Sequence, residues 1–295
     1  MKISFITATY NGVEFTMEMI KSFEATLPLA VEDFEFIIVD NNSTDGTREF
    51  LETLKTPPYL IIHNSENLGF AKANNQAARL ASGELLVFLN NDLILTADWF
   101  EPMLAAFDAW DDVGAVGNIQ LNAKTGLIDH AGVFFQLDGQ PGHSRKGKKR
   151  IPKKQFLEWN AVTAACLLVR SALFEQVGGF DEAFINGSED IDLCLKLRAK
   201  GFRNLVSTKS VIYHHVSASS GRYKYKVENA ELFLQKWRAC TERWGRVEWP
   251  PEYLARYADR FWRFNIQKLV KAVFLLFFHK IYRSESNFKI RSNCI

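Results

Sequence analysis

The sequence predicts an α/β fold with a mostly parallel central sheet, helices on both faces and a helical C-terminal tail. Three observations carry this. First, β-rich apolar runs at Lys2 to Ala8, Phe34 to Val39, Tyr59 to His63 and Glu84 to Leu89 alternate with stretches of helical period. Second, each run ends in polar loop residues. Third, 295 residues that are 47% hydrophobic and 24% charged supply enough apolar material for a large core, which excludes extensive disorder. At about 100 to 200 residues per domain, the length fits one large domain with an appendage. Strands alternating with helices build a parallel sheet covered on both faces, and such sheets bind ligands outside the carboxyl ends of their strands.

The elements follow in order. Met17, Ile20 and Phe23 mark a helix between the first two strands, Arg48 to Leu54 a second, and Phe70 to Leu80 a third. From Trp99 the pattern is mixed, with a helix to Trp110, a strand at Ala115 to Leu121 and hairpin-like material from Leu127 to Leu137. Arg145 to Lys154, RKGKKRIPKK, has seven basic residues in ten and no acid, and reads as a mobile loop. Val162 to Val169 is a buried strand, Ser171 to Val177 a short helix, Ile191 to Lys200 a helix closed by Gly201, and Leu205 to Tyr213 a strand. Pro250 and Pro251 mark a break. The expected division is 1–245 for the α/β domain and 246–295 for a basic, amphipathic helical extension.

The net charge of +2 gives no reason to expect nucleic acid as a partner. From Arg246 onward, however, ten basic side chains face four acidic ones, so the tail suits an anionic surface. Cys166, Cys194, Cys240 and Cys294 have no CxxC spacing and read as reduced thiols in a cytoplasmic protein. The apolar run in MKISFITATYNG is too short and polar for a secretory signal, and no stretch reaches the length of a membrane span.

Four polar clusters fall at strand ends. Thr9-Tyr10-Asn11-Gly12 offers a ring and backbone groups to a ligand. Asp40 ends the second strand, where a carboxylate accepts from a base or ribose, while Ser43 or Thr44 suits a helix cap. Asn67 to Asn75 opens a helix whose positive end favours phosphate, with Lys72 as an added cation. Asn90-Asn91-Asp92 supplies the oxygen ligands that Mg²⁺ or Mn²⁺ prefers, although an Asx turn explains the same letters. Downstream, Glu189, Asp190 and Asp192 crowd the start of a helix, where mutual repulsion raises one pKa toward that of a general base. Tyr213-His214-His215 ends a strand and offers an imidazole to a metal.

The segments ATYNG, VDNNSTDGT, NLGFAKANNQA, FLNNDLIL, GGFDEAF, SEDIDLCLKLRAKGF and VIYHH occur in this order from Ile3 to about Ser220. In that order they resemble the inverting family 2 glycosyltransferases of GT-A fold, especially the rhamnosyltransferase-like branch. The resemblance implies a nucleotide pocket lined by Ala8, Thr9, Tyr10 and Asp40, with Asn42 and Lys72 alongside. It puts Asn90-Asn91-Asp92 in place of the DXD motif, with Asp92 and His214 as ligands of Mg²⁺ or Mn²⁺. His214 fits better than His215 because it precedes Ser217 by three residues and Ser219 by five. Asp190 becomes the base, Glu189 an acceptor contact, and Trp159 and Asn160 neighbours of the donor sugar or acceptor.

The resemblance further implies a nucleoside diphosphate sugar as donor, with dTDP-rhamnose or a UDP-sugar first, and a glycan or lipid-linked acceptor in cell-surface polysaccharide synthesis. A non-catalytic glycan- or nucleotide-binding protein is the alternative, made thinkable by the two amides and opposed by Asp190, Asp92 and His214. A nucleotidylyltransferase or NAD-linked oxidoreductase is disfavoured, since no Gly-rich phosphate loop follows the first strand. In the tail, Trp262, Ile266, Leu269, Val273, Phe277 and Ile281 recur at helical spacing. That apolar side would dock on the catalytic domain, pair two subunits, or lie at the cytoplasmic face of a membrane.

Overall fold

The computed structural model describes residues 2–28, 30–54, 56–215, 225–258 and 261–278. The chain begins as four parallel strands, β1 (Ile3–Thr9), β2 (Phe34–Asp40), β3 (Tyr59–His63) and β4 (Leu85–Leu89), interleaved with α1 (Val13–Thr26), α2 (Thr47–Leu51) and α3 (Gly69–Leu80). They pair in the order β3-β2-β1-β4, and Thr9 sits opposite Asp40, so these two strand ends are level. One face is covered by α1, whose Phe23 meets the edge of Phe5 at 4.8 Å between ring centroids. On the other face Ala71, Ala73 and Ala77 of α3 pack among Ile6, Ile37, Val39 and Phe88; small side chains let that helix lie close to the sheet.

Downstream lie β5 (Leu93–Ile94), α4 (Glu101–Ala109), β6 (Val113–Asn122), β7 (Ile128–His130), β8 (Val133–Phe135), β9 (Pro141–His143), β10 (Phe156–Trp159), β11 (Cys166–Arg170), α5 (Ser171–Gln176), α6 (Glu189–Ala199) and β12 (Arg203–His214). The sheet continues past β4 as β11-β6-β12-β10. β11 is antiparallel to both β4 and β6, and β12 is parallel to β6. The mostly parallel sheet expected is present, as two parallel groups joined through the antiparallel strand β11. The carboxyl ends of β1, β2, β4, β6 and β12 share one edge. The strand expected from Val162 starts only at Cys166, because the preceding residues leave the sheet to meet α6. The Arg145–Lys154 segment has irregular backbone and is tied down by hydrogen bonds from Ile128 N to Lys148 O (2.8 Å) and from Gly147 N to Ile128 O (2.7 Å).

α7 (Lys226–Tyr257) continues through Pro250 and Pro251. The break expected there is absent, and the expected 245/246 boundary falls inside this helix. Each proline removes a helical hydrogen bond, but burial of Trp249, Pro250 and Tyr253 holds the segment in place. Phe233, Trp237 and Trp244 of α7 enter the main core, with Phe135 stacked between Phe233 and Trp244 at 6.2 and 5.7 Å. Gly245 is required by this contact, because an added Cβ would overlap the Gln136 carbonyl.

α8 (Ile266–Phe277) is capped by Asn265, whose side chain accepts from Lys268 N. It docks through Ala272 and Leu275 onto Phe134, Trp249 and Tyr253. Most of the stripe, for which docking, pairing and membrane contact are the alternatives, faces outward: Trp262, Ile266, Val273 and Phe277 are 68%, 69%, 54% and 85% exposed. Ile281, Ser217, Ser219 and Cys294 lie outside the described residues. Cys166 and Cys194 are free and buried, and burial pushes both thiols far up in pKa. Cys240 is buried on α7. Among the described residues no helix is long and apolar enough to cross a membrane.

Candidate active site

A cleft of about 580 Å³ opens along the edge where the parallel strands end. Its first wall comes from the loops after β1, β2 and β4. Ala8, Thr9, Tyr10, Asn41, Asn90, Asn91 and Asp92 line it. Amide side chains lock these loops together. Asn91 Nδ2 donates to Thr9 Oγ1 and Thr16 Oγ1, each at 3.0 Å, and Asn41 Nδ2 donates to Gly69 O at 3.3 Å. An amide at position 91 thus joins β1, α1 and β4, a task a carboxylate would perform only by accepting hydrogen bonds from both hydroxyls. Tyr10, 43% exposed, is free to present its ring.

The second wall is built by the start of α6, the Ala161–Ala165 turn, and the β7 and β9 segments. Glu189 and Asp190 line it together with Thr163, Ala164, Asn186, Gly187 and Ser188. Ser188 has φ of 76° and Asn186 φ of 55°, an uncommon conformation for residues with a Cβ and one that clusters at functional sites. It turns the chain so that the first turn of α6 faces the cleft. Asp190 Oδ2 accepts from Ala164 N at 3.0 Å and its Oδ1 from Ile191 N at 2.8 Å, fixing the carboxylate. Glu189 accepts from Gly187 N at 2.6 Å.

The expected crowding of three carboxylates does not occur. Asp192 points the other way, fully buried, where it accepts from Trp237 Nε1 at 2.8 Å, pairs with Lys196 at 3.3 Å and contacts Lys236. The helical turn between positions 190 and 192 separates them, since residues two apart do not share a helix face.

Asp92 and His214 meet where β4 and β12 end. His214 Nε2 lies 3.1 Å from Asp92 Oδ1, with both residues almost fully buried. His215 turns away to Glu18, at 2.8 Å. The second imidazole nitrogen, His214 Nδ1, is buried without a hydrogen-bond partner. A carboxylate and an imidazole in contact are suitable donors for Mg²⁺ or Mn²⁺. Among the described residues no third His, Cys, Asp or Glu joins them, so a cation here would take its remaining ligands from a bound diphosphate and water.

Five expected site residues lie outside the cleft lining. Asp40 is fully buried, its carboxylate accepting from Ser43 N (2.9 Å) and facing His63 Nδ1 (3.1 Å). It shapes the loop behind the pocket, since Ser43 Oγ in turn accepts from Asn11 N. Asn42 is half-buried with φ of 67°, and Lys72 is exposed on α3. Trp159 packs over Gly132, where any Cβ would collide with its indole. Asn160 donates to Glu248 Oε1 at 2.6 Å, and its carbonyl accepts from Asn204.

Sequence reading missed Gln120, Asp129, His143 and Lys146, which also line the cleft. Lys146 pairs with Asp129 at 2.6 Å, so the basic loop reaches the cleft. His130 Nε2 accepts from Gly132 N, so its Nδ1 carries the proton donated to His143 Nδ1, 2.9 Å away. Burial, then the neighbouring His143, His214 and Lys146, hold the His130 pKa well below its ordinary value. The one sequence signal for this wall was polar residues interrupting a hairpin pattern.

Among solved structures, the chain is similar to GalNAc-T7 crystallised with UDP, GalNAc and Mn²⁺, at a TM-score of 0.65 and 15% identity, covering 97% of this chain and 55% of that one. It is also similar to a mannosyltransferase from Pyrobaculum calidifontis in complex with GDP-Man and Mn²⁺, at a TM-score of 0.56 and 18% identity, covering 98% and 84%. These likenesses show a GT-A type fold. Among curated proteins it is 35% identical to the O-antigen biosynthesis protein RfbC of Myxococcus xanthus over 63% of this chain, spanning only 15% of that protein. It is 27% identical to the N-acetylglucosaminyl-diphospho-decaprenol L-rhamnosyltransferase of Mycobacterium tuberculosis over 69% of this chain and 74% of the relative. The model of the family described as "Glycosyl transferase family 2" matches residues 4–178, more than half of the sequence, and the chain belongs to that family.

Proposed function

We propose that the protein is an inverting glycosyltransferase that moves a sugar from a nucleoside diphosphate sugar, dTDP-rhamnose or a UDP-sugar, to a glycan or lipid-linked acceptor in cell-surface polysaccharide synthesis. The observation that carries this reading is the presence of Asp190 and the Asp92–His214 pair in one cleft. An inverting transfer needs a base on the acceptor side and charge stabilisation on the leaving-group side, and it needs no covalent nucleophile. The names of the Myxococcus and Mycobacterium relatives support the acceptor class and rhamnose as first donor.

In this mechanism Ala8, Thr9 and Tyr10 receive the nucleotide, while Asn90 and Asn91 hold the adjoining turn. Asp190, oriented by two backbone N–H groups, takes the proton from the acceptor hydroxyl. The acceptor oxygen bonds to the anomeric carbon as the bond to the diphosphate oxygen breaks on the opposite side. Glu189 contacts the acceptor. A divalent cation held by Asp92 and His214 would supply charge stabilisation to the departing diphosphate. Calorimetric titration of UDP, dTDP and GDP, each with Mn²⁺ and with EDTA, tests the site. One nucleotide should bind in a metal-dependent way, and Asp92→Ala should abolish that dependence. Equal binding in EDTA, or an unaffected variant, would remove the metal assignment.

A further inference from the structure

The C-terminal helices leave an apolar surface that the fold does not use. Phe261, Trp262, Ile266, Val270, Phe274 and Phe277 are each at least 54% exposed. On α8 they occupy the side turned away from Ala272 and Leu275, so the helix is apolar on both faces but buries only one. Contiguous apolar exposure of this kind marks an interaction site. Its surroundings are basic: Arg263, Lys268 and Lys271 are exposed, and from Tyr253 to Phe278 no described residue is acidic. The basic loop starts beside the same helix pair. Ser144 Oγ and Arg145 N donate to Glu252 at 2.7 and 3.3 Å, next to Tyr253, whose hydroxyl bonds Asn265 at the cap of α8.

We propose that this surface binds a lipid bilayer bearing anionic headgroups. Phe261, Trp262, Ile266, Val270, Phe274 and Phe277 enter the interface, and Arg263, Lys271 and the Arg145–Lys154 loop meet the headgroups. Aromatic and aliphatic side chains on one face with Lys and Arg at its margin are what an interfacial helix requires. A second copy of the chain is the poorer occupant. A two-fold interface would set the same basic margin against itself, with no described carboxylate on this face to answer it. Because Lys146 of the basic loop also lines the cleft, membrane binding would set the cleft wall near the lipid surface. The proposal does not depend on the transfer chemistry.

Co-sedimentation of the full chain with vesicles tests it, using phosphatidylcholine alone and phosphatidylcholine with about one-third phosphatidylglycerol. Binding should require the anionic lipid and weaken with added salt. The variant Trp262→Gln/Ile266→Gln/Phe277→Gln, changed only at exposed positions, should lose at least about tenfold in partitioning, with an unchanged circular dichroism spectrum. Arg263→Gln/Lys271→Gln, with Lys148, Lys149 and Arg150 of the loop also changed to Gln, should lose the preference for anionic lipid. No binding by the wild type, binding indifferent to headgroup charge, or full binding by the apolar variant overturns the proposal. So does a wild-type dimer that the apolar variant turns into monomer.

Discussion

The two walls of the cleft are supported in different ways. The wall after β1, β2 and β4 is local: its loops follow buried parallel strands, and Asn91, Asn41, Ser43 and Asp40 bond them to one another. The wall that carries Asp190 is held from a distance. α7, some 40 residues further along the chain, anchors it through Trp237 and Lys236 on Asp192, and through Glu248 on Phe135 and Asn160. The proposed base, Asp190, thus depends on a helix that supplies none of the residues assigned a part in the transfer. Substitutions in α7 should therefore act on stability and on the second wall, while substitutions in the cleft act on chemistry or binding.

The largest expected effect separates these two kinds of role. Asp190→Asn keeps the size of the side chain and removes the base, so transfer should fall by about 10²- to 10⁴-fold while nucleotide binding stays as in the wild type. Steady-state turnover and calorimetry on the same preparation check it. Turnover at the wild-type rate would remove Asp190 as base; loss of nucleotide binding would mean that the second wall also holds the donor.

Next in size is Lys236→Met. Partial burial alone would lower the Lys236 pKa, but Asp181 and Asp192 outweigh it and raise it. Removing the ammonium leaves fully buried Asp192 with Lys196 and Trp237. Breaking a buried pair costs about 3–5 kcal/mol; with Lys196 remaining, about 3 kcal/mol of stability should be lost, read by urea unfolding. A stability equal to wild type would show that the Lys236–Asp192 pair does not brace α6. Gly245→Ala should cost less, about 2 kcal/mol by overpacking, because α7 can shift away from the Gln136 carbonyl. If the same measurement shows no loss, the close approach of α7 to β8 is not needed.

The same division explains what the sequence disclosed. Strand-helix alternation, and polar residues ending each apolar run, depend on neighbours in the chain, so β1 to β4 and the loops at Thr9 and Asn90 were legible. That Asp92, Asp190 and His214 would share one cleft was legible only through motif order, since nothing local tells a cleft carboxylate from a helix-stabilising one. Asp192 shows the limit: two residues from Asp190, it serves the core, and only the position of Trp237 and Lys236 decides that. His143 and Lys146 were hidden because their place in the cleft is set by pairing with His130 and Asp129 across a loop. The Pro250–Pro251 pair was misread as a break because local propensity opposes a helix there, whereas tertiary burial of Trp249 and Tyr253 sustains it.

The smallest effect probes the α7 anchor without cutting it. The carboxyl end of Glu248 is enclosed, accepting from Phe135 N at 2.8 Å and from Asn160 Nδ2 at 2.6 Å. Burial raises its pKa from 4.5 to about 7, against the lowering effect of those two donors. Between these values the folded chain keeps a proton that the unfolded chain has released. Its contribution to stability is thus full below pH 4.5, declines as pH rises toward 7, and levels off above. The loss should be about 1 kcal/mol per pH unit, short of the full linkage value because the folded and unfolded titrations overlap. Urea midpoints at pH 5, 6, 7 and 8 would show it. Glu248→Gln, which stays uncharged and can still bond Phe135 N while the Asn160 amide reverses, should flatten the profile. An identical slope in the variant would assign the titration to another group and leave Glu248 as a bridge between α7 and the second wall with no part in its pH response.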